Sequence, residues 1–343
     1  MRKCRVEAME FRFKTRTKYL INTVAVLALY FFLMFLQGDV LTRYQSKMLI
    51  PVGIYIILAV SLNLAAGFLG QLPLGHAGFM SVGAYTAALF TKNVALPIAV
   101  SFPLGLLLGG IVAAIFGILI GLPALRLRGD YLAIITLGFS EIIRVIILNL
   151  DFTGGAFGLR GITRATDFTS VFICVVITIA VLHMLIKSRH GRAIIAIREN
   201  EIAAEATGIP TTYYKTLGFT VSAFFAGIAG GLYAHYLGIL DAGTFGFMKS
   251  IEILVMVVLG GMGSMIGSVI AATGLTLLPE LLRGFDNYRM VIYSLLLVVV
   301  MVFKPSGLMG TYDFSLSRSI ESIINSRRRK AAKKEGVSHD SHT

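Results

Sequence analysis

Residues 96–121 read LPIAVSFPLGLLLGGIVAAIFGILIG, a run of 26 residues without one charge. An α-helix rises about 1.5 Å per residue, so about 20 apolar residues cross the roughly 30 Å hydrocarbon layer of a bilayer. This run meets that test with residues to spare. Working outward, so do Tyr19–Gln37, Met48–Ala66, Tyr131–Leu150, Phe168–Ile186, Thr216–Gly238 and Tyr288–Phe303. Two further apolar stretches are broken. Gly75–Phe90 is short and is introduced by Gly67, Gly70 and Pro73, whereas Ser250–Leu278 is too long for one span and is interrupted by Gly260, Gly261, Gly263 and Gly267. The ten-residue alternating segments of an outer-membrane barrel are absent.

Composition agrees. Of 343 residues 56% are hydrophobic and 14% charged, against about 25% charged in a soluble domain. No globule of this size has interior enough to hide so many apolar side chains. Soluble enzymes, disordered chains and disulfide scaffolds are excluded, and the two cysteines, Cys4 and Cys174, form no framework and no metal-ligand spacing. The expected fold is an all-α polytopic membrane protein of about ten segments (range 8–10), two of them broken by glycines.

Basic residues set the expected orientation. Seven lie in residues 1–19, eight from Lys304 onward and five in the linker Lys187–Lys215, together 20 of the 31 Lys and Arg. All three regions are expected on the cytoplasmic side, which requires an even number of crossings. That parity holds only if Ser250–Leu278 counts as two segments. The domain plan is a basic tail (1–18), a transmembrane domain (19–303) containing a cytoplasmic linker (187–215), and a second basic tail (304–343). The first helix is too long for a signal peptide, and Leu36-Gln37-Gly38-Asp39 is not a small-x-small cleavage site. Beside a membrane, the run Arg327–Lys330 reads as a topology and anionic-lipid signal, with no nucleic-acid partner.

The linker carries the sharpest signal. Ala193–Thr207 contains helix formers and no breaker until Gly208 and Pro210, so one amphipathic helix is expected, with Ile194, Ile197, Ile202 and Ala206 on its apolar face. Such a helix either lies on lipid or sits in a protein groove; the acids Glu199, Glu201 and Glu205 favour the groove.

The block Arg192–Pro210, with EIAAEATG at 201–208, resembles the coupling loop of ABC importer permeases in its branched-chain amino-acid (LivM-type) version. SLNLAAGFLGQ at 61–71, LGHAGF at 74–79, LRLRGDYLAIITLGF at 125–139, Glu141-Ile-Ile-Arg144, SAFFAG at 222–227 and LGGMGS at 259–264 follow in the order of that family. The likeness runs from about Met48 to Lys304; Pro73 and Ser268 depart from the family pattern, both at broken-helix positions. The resemblance implies a permease in a prokaryotic cell membrane, both termini cytoplasmic, paired with a second (LivH-like) permease, two ATPase subunits and an extracytoplasmic solute-binding protein. Its substrate class would be branched-chain or other hydrophobic amino acids, with urea or short amides as the alternative. Coupling to the ATPases would involve Arg192, Arg198, Glu201, Ala204, Glu205 and Gly208.

Other polar residues divide between packing and path. Irregular backbone at membrane depth survives only inside protein or along a cavity, and paired glycine-interrupted segments in the two halves of a chain point to a translocation route. Asn63, Gly67, Gly70, His76, Gly78, Gly260, Gly261 and Gly263 are therefore the candidate path residues. Glu141 and Arg144 are three apart and read as a self-neutralised pair; Asn63 and Glu252 read as interhelical hydrogen-bonding groups. Glycines four apart (Gly105/Gly109, Gly117/Gly121, Gly227/Gly231, Gly263/Gly267) let helices approach closely. No Gly-x-x-x-x-Gly-Lys-[Ser/Thr] loop occurs, so no ATP site is expected in this chain. No catalytic, cofactor or metal constellation is expected. A stand-alone secondary transporter is the competing reading, disfavoured by the few ionisable residues within spans.

Overall fold

The computed structural model describes residues 15–310 apart from 41, 126, 128, 305 and 306. Most of both basic tails, and Arg126 and Arg128, lie outside the described residues. Helix α1 (Thr15–Phe35), followed by a π-helical turn at Leu36–Val40, belongs to a unit separate from Arg43–Tyr312.

Within Arg43–Tyr312 the chain is almost entirely helical. Helix α2 (Arg43–Asn63) continues into a π turn at Leu64–Phe68; α3 (His76–Asn93), α4 (Ile98–Ala124), α5 (Asp130–Asn149) and α6 (Phe168–Lys187) follow. Two short helices, α7 (Arg189–Glu199) and α8 (Glu201–Ala206), lead into α9 (Thr211–Leu237), and α10 (Phe247–Gly260), α11 (Met265–Leu281) and α12 (Arg289–Phe303) complete the unit. Among the described residues six helices are long and apolar enough to cross a membrane: Tyr44–Phe68, Ile98–Ala124, Asp130–Asn149, Phe168–Lys187, Thr211–Leu237 and Met265–Gly284. Among the described residues the only strands are β1 (Leu159–Arg160) and β2 (Ile239–Leu240), an antiparallel pair with Leu159 opposite Leu240. This is a polytopic all-α membrane fold.

Glycine places the centre of the fold. In hydrocarbon no hydrophobic force drives helix to helix, so close backbone packing must supply the attraction. Helices α3, α4 and α9 meet without side chains between them: a Cβ on Gly83 would overlap the Gly227 carbonyl, and one on Gly230 would overlap the Met80 carbonyl. A Cβ on Gly109 would fall 2.7 Å from Gly83 O, and one on Gly117 2.8 Å from the Ala223 methyl. Around this contact Met80, Ala84, Ala113, Phe219, Ala223 and Ala226 are buried.

The ends of the bundle are identified by what they bring together. At one end lie the C-terminus of α2, the turn between α10 and α11, α7, and residues 307–310, whose Leu308 and Met309 amides donate to Leu259 O (2.8 Å) and Gly260 O (3.3 Å). At the other, β1 pairs with β2, Lys92 Nζ donates to Arg160 O (3.2 Å), and Arg164 Nε donates to Leu237 O (3.3 Å). The segment before α3 runs inside the bundle. Gly75 packs on the Thr136 backbone and the Leu74 amide donates to Thr136 Oγ1 (3.1 Å), six residues into α5. Pro73 and Gly75 are buried there, whereas Gly70 and Leu72 are exposed, so the part of this irregular backbone next to α3 is enclosed by protein, as a membrane requires.

Candidate coupling and translocation site

The linker is two helices, which corrects the single helix expected over 193–207. Ser188 caps α7, its Oγ accepting from the Gly191 amide (3.3 Å). At Asn200 the backbone leaves the helical region (φ −159°, ψ 105°), and its side chain accepts from the Ala203 amide (3.0 Å), capping α8. Asparagine competes with the backbone for hydrogen bonds and so favours caps over helix interiors. The break rotates α8 relative to α7, and the apolar face does not continue: Ile194 and Ile197 are buried, whereas Ile202 is 69% exposed.

Two sets of residues that are far apart in the chain converge at this end. Asn63 spans α2, α11 and the turn between α10 and α11. Its Oδ1 accepts from the Gly263 amide (2.9 Å), and its Nδ2 donates to Ser264 O and to Ser268 Oγ (both 2.8 Å). Asn63, Gly67, Gly263 and Ser268 are buried, so each bond replaces water that is not there. Gly263 has φ +90°, a conformation that disfavours any residue with a Cβ. Arg198, at the end of α7, then reaches into the cluster: Nη1 donates to Gly67 O (2.9 Å), while Nε and Nη2 hold Glu199 (3.2 and 2.7 Å). A Cβ on Gly70 would meet Arg198 Cγ at 2.8 Å. The broken ends of α2 and α10 and the linker helix thus form one hydrogen-bonded unit.

The remaining candidates fall elsewhere. His76 is buried with Nε2 3.1 Å from Ser61 Oγ, and Gly78 packs on Ser140 of α5. Gly260 packs against Gly267 where α10 meets α11, and Gly261 begins the turn at φ +107°. Of the linker residues, Glu201 holds the buried Lys215 (2.7 Å), and Ala204 is buried; Arg192, Glu205 and Gly208 are exposed. Lys215, Ser264 and Ser268 were not among the sequence candidates. Lys215 sits in the first turns of α9, where a lysine reads as an ordinary positive charge at a helix end. Among the described residues no group of three His, Cys, Asp or Glu is placed to hold a metal ion.

Residues 44–303 match the family model described as branched-chain amino acid transport system / permease component. The chain is 38% identical over 291 residues to the high-affinity branched-chain amino acid transport system permease protein LivM of Salmonella typhimurium, covering 75% of this chain and 68% of that protein. The LivM protein of Escherichia coli matches with the same identity and coverage. The E. coli permease protein LivH is 32% identical over 125 residues, 36% of this chain and 40% of its own. With three-quarters of its length matched, in a helical membrane fold whose linker docks on a pair of broken helices, this chain belongs to the branched-chain amino acid transport permease family.

Proposed function

We infer that this chain is one of the two permease subunits of an ATP-driven importer for branched-chain or other hydrophobic amino acids. It works with a LivH-like permease, two separate ATPase subunits and an extracytoplasmic solute-binding protein. The observation that carries this reading is the Arg198–Gly67 bond. It ties the exposed cytoplasmic linker to broken backbone inside the bundle, so a push on α7 and α8 is passed directly to the ends of α2 and α10. Arg192, Glu205, Ile202 and Gly208 supply the exposed surface for the ATPase, while Glu201 and Ala204 hold α8 onto α9. Asn63, Gly67, Gly70 and Gly263 form the cytoplasmic end of the path, with His76, Gly78, Gly260 and Gly261 supporting the same broken segments.

The placement of the two ends supports ten membrane segments. Starting from a cytoplasmic N-terminus, alternate crossings bring the C-terminus of α2, the α10–α11 turn, the linker and residues 307–310 to one face, where their contacts lie. Both termini are then cytoplasmic. Uptake of labelled leucine and of labelled urea, each in a strain lacking the native system, tests the substrate. ATP-dependent accumulation of leucine is expected; accumulation of neither would overturn the assignment.

A further inference from the structure

Two ion pairs sit where the bilayer is driest. Glu141 lies on α5 about 16 Å from one helix end and about 12 Å from the other, counted at 1.5 Å per residue. It pairs with Arg144 (2.6 Å), and its Oε1 accepts from the Phe247 amide (3.2 Å), so α10 starts at mid-depth. Two residues on, Lys249 pairs with Glu252 (3.0 Å) and donates to the hydroxyl of Tyr55, itself in the middle of the span Tyr44–Phe68. The Lys249 ammonium also lies over the rings of Tyr55 (4.6 Å) and Tyr233 (5.9 Å). Four charges therefore surround the first two turns of α10.

These pairs are not in the core of the subunit. The side chains of Arg144, Glu141 and Glu252 are 30%, 35% and 40% exposed, while Lys249 is 14% exposed. A charge at the bilayer centre costs about 3 kcal/mol even on lenient insertion scales. Partly exposed charges at this depth cannot face hydrocarbon, so the surfaces that carry them turn toward protein and water. A zwitterion suits it. A carboxylate can replace Glu252 on Lys249 while the ammonium takes up the displaced Glu252, so each charge keeps a partner.

We propose that the α5–α10 face, through Lys249–Glu252 and Glu141–Arg144, is the mid-membrane station at which a zwitterionic amino acid is held during passage. This rests on the amino-acid importer reading above. The experiment uses the assembled complex in proteoliposomes, with leucine uptake and binding-protein-stimulated ATP hydrolysis measured together. For Lys249→Met and Glu252→Gln singly, and for Glu141→Gln as a variant outside the Lys249 contact, leucine turnover is expected to fall about tenfold or more, equivalent to about 1.4 kcal/mol, with assembly and ATP hydrolysis retained. The doubly neutral Lys249→Met/Glu252→Gln is expected to be no better. If that double variant, or the swapped pair Lys249→Glu/Glu252→Lys, takes up leucine at the wild-type rate, the pair merely neutralises itself and the proposal falls. A wild-type complex that moves urea and no amino acid overturns the importer reading as well, which separates the two failures.

Discussion

Arg198 and Gly67 are 131 positions apart in the chain and are joined by one charge-assisted hydrogen bond, Nη1 to carbonyl, of 2.9 Å. The carbonyl belongs to the π turn that ends α2, where the backbone has left regular helical bonding and its oxygen is open to an outside donor. Irregular turns of this kind recur at functional sites because they expose such groups. Here the donor comes from the linker.

Removing that donor should uncouple the two. A hydrogen bond to a charged group contributes about 1.5–3 kcal/mol, so Arg198→Ala is expected to lower leucine uptake by about tenfold or more. Membrane content should remain normal. Arg198→Lys should rescue poorly, because an ammonium cannot hold Gly67 O and Glu199 together as the planar guanidinium does. Uptake set against ATP hydrolysis in proteoliposomes is the measurement; equal activity of Arg198→Lys and wild type would refute the geometry.

Asn63 makes three buried bonds, and leucine of similar size makes none. Asn63→Leu leaves the buried Gly263 amide without its acceptor, at about 1–3 kcal/mol, and takes one donor away from Ser264 O and from Ser268 Oγ. A clear drop in the thermal midpoint of the detergent-solubilised protein is expected. Ser268→Ala, which removes a single side-chain partner, should shift it much less.

Gly230 tests the central packing. Its Cβ would overlap the Met80 carbonyl, and backbone cannot swing aside as a side-chain tip can. Overpacking costs about 1–3 kcal/mol or more in a tight core. Gly230→Val should therefore fail to accumulate in the membrane, whereas Gly138→Ala, with nothing within 4 Å of its added Cβ, should be neutral. Immunodetection in membrane fractions reads both.

Gly208 tests docking. It is exposed and adopts φ +84°. Gly208→Ala should cost about 1 kcal/mol through that backbone conformation alone and leave transport largely intact. Gly208→Trp should insert normally yet lose co-purifying ATPase and uptake. Retention of both by Gly208→Trp would mean that α8 rests on lipid.

Orientation is tested by single cysteines introduced after replacement of Cys4 and Cys174. Ser188→Cys and Ser319→Cys should resist an impermeant thiol reagent added outside whole cells. Phe157→Cys, at the opposite end and 86% exposed in the wild-type side chain, should react. Strong labelling at position 319 would overturn the ten-segment plan.

Periodicity and length made the helices legible without coordinates, because a span must be long and apolar whatever it packs against. The uninterrupted run 96–121 is α4, and of the glycines four apart along α4 and α9, Gly109 and Gly227 do let backbones touch, while Gly121 and Gly231 make room for the side chains of Phe219 and Leu106. Local chemistry also marked the linker, though not its break: Asn200 reads as a tolerable helix residue until its side chain is seen to cap α8. Which distant groups meet was decided only by tertiary structure. Asn63, Gly263 and Arg198 are each ordinary in their own segments; packing α2, α7 and α10 at one end makes Asn63 a bridge and turns Arg198 inward. Lys249 shows the same limit. In sequence it is a cation near the start of an apolar run, the usual place for a charge at a membrane surface. It lies at mid-depth because α10 begins beside Glu141, halfway along α5, and no pattern within α10 itself records where its first turn is held.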